Sequence, residues 1–207
     1  YNYLHILELR LQHEPSAIEQ LEMIGSELRR AGEILQQIRD LSPITELESA
    51  PEMVFAEFDV NDLIRRLFEL HRGYAEDNNV ALSFEVDSGP MILASDEQRL
   101  SQILNNLLRN AIEASASAEV SIGGQAGVFR EGREGIEVFV RDTGPGLSRD
   151  VLERLADPKE STKGGEHAGL GLHIVHRLVA ELQGGIDVRT SANVGTRFTV
   201  FLPLRPL

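Results

Sequence analysis

The chain has 207 residues, enough for one domain with a full core and a smaller appendage. Its formal net charge of −13 argues against a nucleic-acid partner, which needs a basic face, so any anionic ligand must be held locally by backbone amides, a metal ion or one or two cations. No cysteine is present, which excludes disulfides and thiolate metal sites, and no apolar run approaches the roughly 20 residues that span a bilayer.

The start, Tyr1-Asn2-Tyr3-Leu4, has neither Met nor a signal-like segment, so the chain reads as part of something longer. Residues 1–42 read as a helical hairpin. Leu4, Leu7 and Leu11 fall at helical spacing, and His13-Glu14-Pro15 interrupts them. Ser16 then offers an N-cap with Glu19 three residues on. Leu21, Ile24, Leu28, Ala31, Leu35 and Ile38 follow at alternating spacings of three and four, the seam of a bundle. So short a hairpin cannot bury its seam alone, and a homodimer with a four-helix bundle is expected. Pro43 stops the second helix, and residues 43–54 read as a linker.

The second unit is expected over 55–207. A short strand is predicted at Phe55–Asp59, an amphipathic helix from Asn61 to about Asp77, and strands at Val80–Val86 and Met91–Ala94. Ser95, with Gln98 behind it, is the expected cap of a long helix whose stripe is Leu100, Leu104, Leu107, Leu108 and Ala111. Gln102, Asn106, Asn110 and Glu113 share another face of that helix. Strands near 119–123 and 135–141 follow, joined by a Gly-rich turn. The stretch 143–168 has little hydrophobic pattern, and a loop of that length is usually functional. A helix then runs from near Gly169 to Gly184-Gly185, and Ile186–Thr190 and Arg197–Leu202 form a closing hairpin.

Four short motifs carry chemistry. Asn110, four residues after Asn106, offers an uncharged amide oxygen that suits Mg²⁺ without repelling a phosphate. Alone, such an asparagine is more often a satisfied polar residue between helix and strand. Asp142 at a strand end can accept a hydrogen bond from an exocyclic amine, as adenine carries, and Gly144 and Gly146 let the backbone pass close to a ring. Alone, Asp-x-Gly-x-Gly is a common turn. Gly169-Leu170-Gly171-Leu172 opens a helix with bare amides, an anion site, and Lys163 six residues earlier can reach a terminal phosphate. Gly195-Thr196 before the last strand is equally a plain β-turn.

In their order and spacing these segments resemble the N, G1, G2 and G3 boxes of sensor histidine kinases, a family sharing its ATP-binding domain with gyrase-type, heat-shock-protein-90-type and mismatch-repair ATPases. The resemblance covers residues 55–204, and residues 1–42 resemble the companion dimerisation and phosphotransfer hairpin. It implies an α+β fold: a two-layer α/β sandwich, the Bergerat ATP-binding fold, with a mixed, mostly antiparallel sheet and helices on one face. It implies ATP and Mg²⁺ as ligands, Asn110 on the metal, Asp142 on adenine, and Gly144, Gly146, Gly169 and Gly171 shaping the pocket and lid hinge. Lys163, in Glu160-Ser161-Thr162-Lys163, resembles the Thr-Thr-Lys of nitrogen-regulator-type kinases. The implied reaction is autophosphorylation of a histidine, then transfer to the receiver domain of a response regulator. A cytoplasmic location is expected, with no membrane contact by this segment and a parent that can be membrane-attached.

The sequence departs from the family pattern in places. No lid phenylalanine lies between Leu147 and Gly169, with Leu155 the nearest large apolar residue, and Ala168 stands where these kinases often have Thr. The acceptor motif, His-acid followed by Asn- or Thr-Pro-Leu, is absent, and the acceptor is expected just upstream of Tyr1. His5 lacks the following acid, and His13 has Glu14 but then Pro15. Relatives that hydrolyse ATP as conformational motors carry Glu four residues before the metal asparagine. Asn106 stands there, and an amide cannot take a proton from water. A non-catalytic nucleotide-binding scaffold, or a serine kinase of the same ATP-binding family, is the alternative.

Overall fold

In the computed structural model, residues 53–86, 89–115, 118–148 and 170–205 are described. The expected hairpin at 1–42, most of the linker, Lys163, Gly169 and the bulk of the long loop lie outside them. The elements, in chain order, are β1 (Ala56–Asp59), α1 (Val60–Asp77), β2 (Ala81–Glu85), β3 (Ile92–Ser95), α2 (Glu97–Ala114), β4 (Glu119–Arg130), β5 (Arg133–Asp142), α3 (Leu170–Glu181), β6 (Gly185–Ser191) and β7 (Gly195–Pro203).

The main sheet has the order β2-β4-β5-β7-β6, with β2 parallel to β4 and every other pair antiparallel. β1 and β3 form a separate antiparallel pair. Alternation along the strands sends Val120 and Ile122, then Ile136, Val138 and Val140, then Phe198, Val200 and Leu202 to one face. The three helices lay their apolar stripes on that face. Ile64 and Leu67 come from α1, Leu100, Leu104, Leu107 and Leu108 from α2, and Val175 and Leu178 from α3, all in one buried cluster. This is the expected two-layer sandwich with a mixed sheet. Removing a buried leucine such as Leu104 costs about 2–5 kcal/mol, since the cavity adds to the lost transfer energy.

Three sequence expectations are corrected. The cap of α2 is Asp96, whose Oδ1 accepts from the Arg99 amide at 3.1 Å. Ser95 is the last residue of β3, paired with Ala56, and so cannot be the cap. The two central strands are longer than expected, and Gly123 and Gly124 lie inside β4 rather than in a turn. The turn is Glu131-Gly132, both at positive φ (50° and 76°), between the paired Arg130 and Arg133. That is the two-residue hairpin loop that matches strand twist. Gly123 serves packing, for a Cβ there would lie 2.5 Å from Phe139 Cζ. Finally, Glu113 does not join the Gln102–Asn106–Asn110 face. It pairs with Arg109 at 2.7 Å and accepts from the Tyr74 hydroxyl of α1 at 3.2 Å.

Candidate functional site

The inner end of β5 places Asp142 between β4 and β7, opposite Val120 and Thr196. The side chain is buried, 6% exposed. Its Oδ1 accepts from the Gly144 amide at 2.9 Å and the Thr196 amide at 3.2 Å. Oδ2 has no partner among the described residues. Burial pushes the carboxyl above its ordinary range, although the two amide bonds pull the other way.

The loop after β5 is fastened to the β6–β7 turn. The Asn193 amide donates to the Pro145 carbonyl at 2.9 Å, and the Leu147 amide donates to Thr190 Oγ1 at 2.9 Å. Thr190 Oγ1 also lies 3.1 Å from Thr196 Oγ1. Two glycines make the close approach possible. At Gly195, φ is +119° and a Cβ would lie 2.0 Å from the Asp142 carbonyl oxygen. At Gly146, φ is +81° and a Cβ would lie 2.6 Å from the Ser191 carbonyl oxygen. Gly195-Thr196 is therefore more than a turn, because it seats the backbone that orients Asp142. Thr190 was not singled out from the sequence. The signal was its pairing with Thr196, readable only once the hairpin register is fixed.

The asparagines stand on α2. The Asn106 Nδ2 group donates to the Gln102 carbonyl at 2.9 Å, which leaves Oδ1 pointing away from the helix backbone. Asn110 is half-buried and makes no hydrogen bond among the described residues. Gly171, in the first turn of α3, packs beside both: a Cβ there would lie 3.4 Å from Asn106 Oδ1 and 3.7 Å from Asn110 Oδ1. Leu172 is buried in the core cluster, so its side chain seats α3 rather than lining a cleft.

The structure thus brings Asn106, Asn110 and Gly171 together at one place, and Asp142, Gly144 and Thr196 at another. Near the second, an open depression is lined by Ala114, Ser115, Thr143, Gly144, Pro145 and Asn193. A lone unpaired amide oxygen suits a cation that keeps waters and phosphate oxygens as its other ligands. No cluster of three or more His, Asp or Glu capable of holding an ion by itself occurs among the described residues. Of the histidines, His71 Nε2 lies 2.8 Å from Asn105 Oδ1 between α1 and α2. His176 Nε2 is buried without a partner among the described residues.

Residues 95–206 match the family described as "Histidine kinase-, DNA gyrase B-, and HSP90-like ATPase". The chain is 28% identical over 180 residues to the sensor histidine kinase AtsR of Burkholderia thailandensis, covering 84% of this chain and 30% of that protein. It is 31% identical over 189 residues to the sensor histidine kinase ZraS of Escherichia coli O157:H7, covering 87% of this chain and 39% of the relative. It therefore spans about a third of the length of these relatives. Among solved structures, the nucleotide-free catalytic domain of histidine kinase ThkA matches at TM-score 0.61 and 27% identity, over 75% of this chain and all of that one. Full-length ShkA in complex with AMPPNP matches at TM-score 0.69 and 28% identity, over 92% of this chain and 39% of that one. ThkA in complex with the response regulator protein TrrA shares the fold at TM-score 0.64 and 23% identity, over 99% of this chain and 57% of that one. The chain belongs to the histidine kinase-, DNA gyrase B- and HSP90-like ATPase family, and its ATP-binding domain is that of a sensor histidine kinase.

Proposed function

We propose that the chain is the ATP-binding and kinase core of a sensor histidine kinase, and that it supplies phosphate for a histidine and then for a response regulator's receiver domain. One observation carries this reading: a buried Asp142 whose Oδ1 is saturated by two backbone amides, leaving Oδ2 to accept from a base amine. A base with a carbonyl at that position would face the carboxylate acceptor to acceptor, so adenine is selected over guanine.

Asn110 would hold Mg²⁺ through its amide oxygen, and the ion would supply positive charge against the phosphates. Asn106 replaces the base that would activate water, which favours transfer to a protein side chain over hydrolysis. Lys163 steadies the terminal phosphate and Gly169 with Gly171 forms the lid hinge. Residues 1–42 act as the dimerising hairpin and 43–54 as its linker to the domain at 55–207. The response regulator in complex with ThkA supports a partner of the same class for this chain. No helix among the described residues is long and apolar enough to cross a membrane, and attachment of the parent to a membrane through other segments is part of the proposal.

The test is isothermal titration of the 207-residue chain with Mg·ADP and Mg·GDP. Binding of ADP, weaker by at least about tenfold for GDP, is expected. Equal affinity for the two would overturn the adenine-reader role. Radiolabelled ATP with the parent kinase should give acid-labile label that is lost in Asn110→Asp. Acid-stable label would instead make it a serine kinase, and no label at all a nucleotide-binding scaffold.

A further inference from the structure

The face of the sheet opposite the helices holds an arrangement that nucleotide binding does not use. Arg141 of β5 stands directly across from Arg197 of β7, and Arg197 directly across from Arg189 of β6. All three alternate with residues of the buried face, so they share the outer one. Like charges placed opposite each other across strands are destabilising. Here three stand in a row, in a chain whose net charge is −13.

None of the three is in an ion pair among the described residues. Elsewhere arginines are neutralised: Arg65 by Asp62, Arg66 by Glu97, and Arg130 by Glu137 and Asp187. That last network consumes two carboxylates of the same face. Glu119, at the start of β4, stands on the same face without closing an ion pair among the described residues. Arg141 and Arg189 are exposed. Arg197 is held flat, its guanidinium 3.6 Å from the centre of the Phe139 ring, and that ring fills the space left by Gly123 on the neighbouring strand. A guanidinium stacked this way keeps its N–H edges outward and loses little freedom on binding.

We propose that this arginine row is a docking surface for a carboxylate-bearing helix of a partner protein. The spacing favours a helix. Paired residues on adjacent antiparallel strands lie about 4.5–5.5 Å apart, and residues at i, i+3 and i+4 on a helix about 5–6 Å apart. Three glutamates on one helical stripe therefore fall in step with three arginines, each offering a planar fork to a carboxylate. An extended polyanion is disfavoured, because beyond this row it meets a protein of strongly negative charge.

The probe is a fluorescent alanine-rich helical peptide with glutamates at i, i+4 and i+7, compared with its glutamine counterpart by anisotropy at low salt. The 207-residue chain is used with ADP present. Saturable binding of the glutamate peptide is expected, at least about tenfold weaker for the glutamine peptide and weakened by salt. Arg141→Gln with Arg189→Gln should weaken it by about tenfold or more. Arg65→Gln with Arg72→Gln, the same charge change at two paired surface arginines, should leave it unaltered. Both row substitutions relieve like-charge repulsion, so the variant should melt no lower than the parent chain. Absence of saturable binding overturns the proposal, as does equal loss in the Arg65→Gln, Arg72→Gln variant. Tighter capture, through the same arginines, of phosphatidylglycerol vesicles or single-stranded DNA also overturns it and makes the surface a phosphate site.

Discussion

Asp142 Oδ1 accepts two backbone amides, yet burial outweighs them and the carboxyl titrates above its ordinary range. The position therefore costs the free protein stability. Asp142→Asn separates that cost from base reading. The amide oxygen can keep both N–H bonds and no charge is buried, so the nucleotide-free chain should unfold in equal or higher urea. The new NH₂ group would face an adenine amine, donor against donor. ADP affinity should fall by at least about tenfold, while GDP, with a carbonyl there, should lose far less. In Asp142→Ala both amides lose their acceptor, and ADP binding should weaken by about 1.5–3 kcal/mol. Parallel titrations with the two nucleotides check this, and an unchanged ADP affinity in Asp142→Asn would remove Asp142 from the base site.

Among the elements, α2 and the β6–β7 turn hold the site in place. α2 starts at Asp96, which does three things: Oδ1 caps the Arg99 amide, Oδ2 accepts from the Val54 amide at 3.2 Å, and the carboxylate pairs with Arg99 at 3.4 Å. Arg99 in turn pairs with Glu181 at the end of α3. Asp96→Ala should therefore exceed an ordinary cap loss and cost about 2–4 kcal/mol, from the cap and a largely buried ion pair together. Ser95→Ala should cost less, and chemical denaturation of the two variants decides between them. Gly195→Ala forces a Cβ to 2.0 Å from the Asp142 carbonyl at φ +119°, so it should be more damaging still. A variant that folds normally and binds ADP as before would show that the turn need not touch β5. These two sites also show what the sequence could and could not reveal. The existence of α2 was legible because five apolar positions repeat at helical spacing. Its first residue was not, since Ser95 and Asp96 both cap well and only the pairing of Ser95 with Ala56 excludes the serine. The glycines of β4 looked like a turn because local propensity says nothing about a phenylalanine on the next strand.

Across the whole molecule, the sandwich was legible because period-two strands and period-3.6 helices alternate cleanly along the chain. The link from Thr190 through Thr196 to Asp142 was not, because it joins residues up to 54 apart through a register set by tertiary packing. The helical layer also fixes how stability responds to pH. His71 sits between α1 and α2, and burial lowers its pKa from 6.5 more than the Asn105 contact raises it. His176 on α3 is likewise lowered by burial, with His173 beside it adding to the effect. For both, the folded pKa lies below the unfolded one, so the unfolded chain takes up protons first as pH falls. Their contribution is fully present above the unfolded value of 6.5 and is lost as pH drops through it. Asp142 works with the opposite sign: its raised pKa makes the folded chain the better proton binder, so stability declines as pH rises from the ordinary carboxylate value of 3.8. As pH falls through the ordinary imidazole value of 6.5, between about pH 7.5 and 5.5, the two histidines set the response. Urea midpoints should fall over that interval. The fall should shrink in His71→Gln, where the substituted amide can still reach Asn105, and shrink further when His176→Gln is added. A double variant that keeps the full slope would place the titrating groups elsewhere.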